Sequence, residues 1–104
     1  MQQSAYAIQF MMGSANNTLE LSGNLVINHI ESIYNDLKEN IDYSKKLIMN
    51  VTQIKGIDLT CIQLLMSLKK EFAVKGVPFE LNLQLNEEQE RLINSAGFIS
   101  NFFK

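Results

Sequence analysis

Apolar and polar residues alternate with two different periods along this chain, and the changes of period mark its elements. From Ala5 to Met12, Tyr6, Ile8 and Phe10 alternate with Ala7 and Gln9. A period of two belongs to a half-buried strand. Gly13-Ser14-Ala15-Asn16-Asn17 carries turn chemistry, and Thr18 to Gly23 alternates again with Leu19 and Leu21 on one face. Together these predict a β-hairpin. From Asn28 to Ile41 the period lengthens: Ile30, Ile33, Leu37 and Ile41 share one helix face,. Asn28, with Glu31 three residues on, is the expected cap. Asp42 to Lys45 connects to Leu47-Ile48-Met49-Asn50-Val51. That run lacks clean alternation and predicts a strand buried on both faces.

The helical period returns from Thr60 to Lys75. Cys61, Leu64, Leu65, Leu68 and Phe72 form an apolar stripe, with Gln63, Ser67, Lys70 and Glu71 opposite. Lys69, Lys70 and Lys75 lie in the C-terminal half, where the helix dipole favours cations. Gly76 is the expected stop. Phe79 to Leu83 alternates as a strand, with Pro78 tolerated at its start. Asn86 to Ala96 predicts a last helix, with Asn86 and Gln89 at its cap and Gly97 at its end. Phe98 to Phe103 is an apolar tail.

The predicted order is β-β-α-β-α-β-α. Parallel strands joined through helices should pair by right-handed crossovers, while the N-terminal hairpin makes the sheet mixed. The expected fold is therefore a small α/β domain over residues 1–104, with a mixed four-stranded sheet and three to four helices. A chain of 104 residues with 46% hydrophobic content suits one core,. The net charge of −2 and the lack of a basic cluster argue against a nucleic-acid partner,. No apolar run approaches the roughly 20 residues that cross a bilayer, so no direct membrane insertion is expected. Met1-Gln2-Gln3-Ser4 does not read as a signal peptide, so a cytoplasmic location is expected,.

Candidate chemistry concentrates at Ile57-Asp58-Leu59-Thr60-Cys61-Ile62-Gln63-Leu64-Leu65, where a loop feeds the second helix. It offers an acid, a hydroxyl and a thiol, without a histidine or lysine beside them. That is too little for catalysis and enough for recognition or phosphorylation. The plainer reading makes Thr60-x-x-Gln63 a capping box, with Asp58 favoured by the helix dipole. A single cysteine permits no intrachain disulfide and no cysteine-type zinc site, and Cys61 reads first as a small core residue,. His29, the one histidine, has no second histidine for metal ligation. Glu87, Glu88 and Glu90 read as a solvated helix start. No phosphate-binding loop or nucleophile elbow occurs, no enzyme is expected, and no cofactor is expected. On the helical wheel Ile62 and Met66 border the apolar arc beside Lys69, which suggests a partner-binding edge next to the Asp58 loop.

Four pieces of the chain, taken in order, resemble the STAS domain, the sulfate transporter and anti-sigma factor antagonist family. They are Leu21-Ser22-Gly23-Asn24-Leu25, the apolar strand Leu47 to Val51 (with Asn50 where an acid is common), the loop Ile57 to Leu65, and Ser95-Ala96-Gly97-Phe98. The resemblance implies a protein-binding module. In the antagonists the residue after the aspartate is a serine that a partner kinase phosphorylates; here it is Leu59, which cannot accept phosphate. Thr60 is then the remaining hydroxyl and the possible phosphorylation site, and Cys61 replaces the usual glycine. The implied partner-binding residues are Asp58, Leu59, Thr60, Cys61, Ile62, Gln63, Met66 and Lys69. The expected partner is an anti-sigma factor-like kinase or another signalling protein. The alternative is an accessory role on the ATPase of a bacterial lipid-transport complex.

Overall fold

The computed structural model describes residues 5–95. The apolar tail, the stop at Gly97, most of the Ser95-Ala96-Gly97-Phe98 motif and the first four residues lie outside that range. The elements run β1 (Tyr6–Met12), β2 (Asn16–Leu25), α1 (Ile27–Asn40), β3 (Lys46–Ile57), α2 (Leu59–Lys75), β4 (Phe79–Leu83) and α3 (Glu87–Ser95). The four strands form one sheet in the order β1-β2-β3-β4. β1 and β2 pair antiparallel, and the other two pairings are parallel. This is the mixed α/β sheet expected from the periodicity, with three helices among the described residues.

Both crossovers, β2-α1-β3 and β3-α2-β4, step in the same direction across the sheet. Right-handed connections therefore put both helices on the same face. Register lines the residues up in rows across that face: Phe10, Leu19, Met49 and Leu81 form one, and Ile8, Leu21, Val51 and Leu83 the next. Leu19, Leu21, Met49 and Val51 are fully buried there, under Ile33 and Leu37 of α1 and Cys61, Ile62, Leu65 and Phe72 of α2. Tyr43 and Phe79 flank the Phe72 ring, with centroids 4.7 and 5.0 Å away.

The expectation that Leu47 to Val51 is buried on both faces is corrected. Leu47, Met49 and Val51 are buried, whereas Ile48 and Asn50 are only half-buried. They point to the other face, where Asn82 donates to Asn50 across the strands at 2.8 Å. Ile48 is apolar on the outer face, which is what hid the period of two.

β3 is also longer than the apolar run suggested. Leu21 pairs with Val51, but Gly23 pairs with Ile54 and Asn24 with Gly56, so β3 carries two extra residues against β2. Gln53 takes a positive φ of 49° within this bulged stretch,. Gly23 is the matching irregularity in β2. Its φ is 104°, and a β-carbon there would lie 2.6 Å from the Ala5 carbonyl oxygen,. The bulged β3 runs past this point and keeps pairing until Ile57 faces Leu25. That delivers Asp58 to the start of α1.

Candidate functional site

Asp58 joins the N-terminal ends of two helices. Its backbone is extended and its side chain caps α2, with Oδ1 accepting from the N–H groups of Thr60 at 3.1 Å and Cys61 at 3.4 Å. The other oxygen, Oδ2, accepts from the N–H of Ile27 at 2.8 Å. Ile27 opens α1, whose own N-cap position is Val26, a side chain with nothing to offer a free amide. The Asp58 N–H donates to Leu25 at 3.3 Å, tying the loop to the end of β2. Each helix start carries free amides and a partial positive charge. One carboxylate answers both.

Two expected caps are corrected by this arrangement. Asn28 does not begin α1, because the helix starts at Ile27 and takes its cap from 31 residues away. Thr60 is not the N-cap of α2; it is the second helical residue and contributes its backbone N–H. The predicted cap of α3 is present in full. Asn86 Oδ1 accepts from the Gln89 N–H at 2.8 Å, and Gln89 Oε1 accepts from the Asn86 N–H at 3.0 Å,.

The predicted partner-binding residues separate into inner and outer groups. Cys61 and Ile62 are core residues, at 0% and 1% exposure, so their side chains do not reach a partner. The cause is the start of α2 at Leu59, which sets the helical phase and turns both inward. Leu59, Thr60, Met66 and Lys69 are half-buried and Gln63 is exposed. Leu59, Gln63 and Met66 follow the spacing of one helical stripe. Thr60 lies on another, one turn from Leu64, which lines a groove of about 540 Å³ between α1 and α2. Loop and helix thus place Leu59 and Thr60 on different sides of the helix start.

Ile27 was missed from sequence. It is 63% exposed, although its backbone is bonded to Asp58. The signal was the run Leu25-Val26-Ile27: three consecutive apolar residues leaving a strand cannot all face one core. His29 lies near Tyr6, with ring centroids 6.2 Å apart. Burial pushes the Cys61 thiol up to about 12, and the nearby Asp58 charge adds to the rise. The thiol is therefore protonated at neutral pH and is not an activated nucleophile. Among the described residues no group of three His, Cys, Asp or Glu side chains could hold a metal ion, and no helix is long and apolar enough to cross a membrane.

A mixed sheet with its helices on one face, and a strand-to-helix loop that clasps two helix starts, defines a class of small α/β domain built around one polar loop. The chain belongs to the STAS domain family, whose family model matches residues 13–104. Two solved structures share the fold. One is an antisigma-factor antagonist STAS domain from Rhodobacter sphaeroides, at TM-score 0.63 and 12% identity, covering 76% of this chain and 87% of that one. The other is the Bacillus cell fate determinant SpoIIAA in its phosphorylated form, at TM-score 0.60 and 14% identity, covering 94% and 89%. No curated protein matches the sequence.

Proposed function

We propose that this protein is a non-enzymatic docking module of the antagonist type, which binds a partner kinase or signalling protein through the Asp58 loop and the outer face of α2. The observation that carries this reading is that exposed Ile27 is tied by its backbone N–H to Asp58, the residue before half-buried Leu59, so both apolar side chains adjoin a carboxylate already committed to the fold. Asp58 then acts as a positioning residue. Contact falls to Ile27, Leu59, Gln63, Met66 and Lys69. The two solved structures, one described as an antisigma-factor antagonist and the other as a cell fate determinant in its phosphorylated form, support the reading at the level of the fold.

Leu59 favours a contact that is not switched at that position. It also favours the second reading, an accessory subunit on a transporter ATPase, which needs no phosphate acceptor in the loop. Thr60 is the hydroxyl through which a switch would operate. Phosphate there would add nearly two negative charges beside Asp58. The test is affinity capture from the native cells with wild-type protein and Met66→Glu side by side, followed by mass spectrometry. A kinase or signalling protein recovered by wild type and lost with Met66→Glu supports the first reading. A variant-sensitive transporter ATPase supports the second. If every captured protein is retained equally by a folded Met66→Glu, this surface is not the docking site.

A further inference from the structure

We infer that the outer edge of β1 is a pairing surface for a second copy of this chain, which joins two four-stranded sheets through antiparallel β1 strands. Among the described residues β1 pairs with β2 alone. The Asn24 N–H donates to the Ala5 carbonyl at 2.8 Å, and Ala7 faces Ser22, Gln9 faces Glu20 and Met11 faces Thr18. Antiparallel ladders alternate bonded and non-bonded pairs. The backbone groups of Ala7, Gln9 and Met11 are therefore spent on β2, and those of Tyr6, Ile8, Phe10 and Met12 point outward.

Among the described residues this edge carries none of the devices that usually guard one. Its seven residues contain no charge and no proline, and its register with β2 has no bulge. The other edge of the sheet is protected. β4 has five residues, follows Pro78, and carries Glu80 in an ion pair with Lys46 at 3.3 Å. The contrast within one sheet singles out β1.

The edge is also complementary to itself. With a two-fold axis through Gln9, Ile8 of one chain faces Phe10 of the other, and Tyr6 faces Met12. Every outward N–H and C=O then finds a partner. The side chains of these residues lie on the helix-covered face, so the apolar rows continue from one sheet into the next. Met12, 74% exposed in the single chain, gains cover. Tyr6, Ile8, Phe10, His29 and Asp36 line a groove of about 690 Å³ between β1 and α1. The second copy's side chains are of the kind to fill it.

The test uses the full chain and residue 9, which is exposed and lies on the open face. Gln9→Lys sets like charges opposite each other across the axis and should weaken self-association about fivefold or more. Gln9→Glu should do the same, and an equal mixture of the two should restore association. Sedimentation over a concentration series should give twice 11.8 kDa for the wild type. In parallel, hydrogen exchange should show Ile8 and Phe10 amides protected only at concentrations where the dimer forms, with Gln9 and Met11 protected throughout. Two outcomes overturn the inference. One is a monomer at all concentrations with Ile8 and Phe10 exchanging freely, which leaves the edge to a foreign strand or to solvent. The other is protection that does not change with concentration, which assigns the edge to the chain's own residues outside 5–95.

Discussion

The two ends of the sheet treat a polar side chain in opposite ways. At the end where α1 and α2 begin, both oxygens of Asp58 accept backbone N–H groups. At the other end Asn17 is fully buried in a row with Met12, Leu47 and Phe79, and neither its amide nitrogen nor its oxygen has a hydrogen-bond partner. Helix starts supply free amides that a carboxylate can satisfy, while a sheet interior has already spent its backbone groups on the ladder. A polar residue is therefore a fastener at one end and a liability at the other.

Asp58→Ala should break the first half of this comparison with the largest effect. It removes the cap of α2 and the acceptor for α1 together. A single cap contributes about 1 kcal/mol, and hydrogen bonds to charged groups about 1.5–3 kcal/mol. The expected loss is about 2–4 kcal/mol, read from urea unfolding. Asp58→Asn keeps one acceptor oxygen and should lose less. If Asp58→Ala costs no more than an ordinary surface substitution, the two-helix clasp does not hold the fold.

Asn17→Leu tests the other half, and the sign reverses. Replacing a buried, unpartnered amide by an apolar side chain of similar size should stabilise by about 1–2 kcal/mol. A loss of stability instead would mean that the amide is satisfied in solution, by water for example. That result would remove the contrast with Asp58.

Thr60→Ala sharpens the comparison at the fastened end. A capping threonine would cost about 1 kcal/mol on removal. Because Asp58 holds the cap, the expected change is under about 0.5 kcal/mol. A loss near the full capping value would return that role to the Thr60 hydroxyl.

What the sequence disclosed follows the same division. Order, strand pairing and core were legible because period, spacing and crossover handedness are local or general rules; Leu19, Leu21, Ile33, Leu37, Leu65 and Phe72 all lie where their spacing put them. The reciprocal cap of α3 was legible because its two partners are three residues apart. The clasp was not, since Ile27 and Asp58 are brought together by the bulges of β3 rather than by any spacing in the chain. Asn17 was misplaced for a related reason. Asparagine is a turn former, so it read as the end of the turn signal, whereas β2 has already begun at Asn16. The family resemblance singled out the Asp58 loop, yet the burial of Cys61 and Ile62 follows from the phase of α2, which only its true first residue fixes.

The comparison is sharpened last at Cys61, which sits between the clasp and the core. Its thiol is raised from an ordinary value of 9.0 to about 12, first by burial and then by the Asp58 charge. The folded state thus holds this proton more tightly than the unfolded state does. The stability it contributes is fully present below about pH 9 and is lost as pH rises from there toward 12,. Two observations should follow. A thiol reagent at pH 8 should leave native Cys61 unmodified, since the group is both buried and protonated. Urea midpoints of wild type should fall between pH 9 and 10.5 relative to Cys61→Ala, once each is referred to its own neutral-pH midpoint. Asp58→Asn should flatten part of that fall, because the neutral amide removes the nearby negative charge while leaving the burial unchanged. If wild type and Cys61→Ala lose stability in parallel over this range, the thiol is not held protonated by the fold. If Asp58→Asn leaves the slope as it was, burial alone sets it, and the carboxylate acts on the helix amides without reaching the thiol.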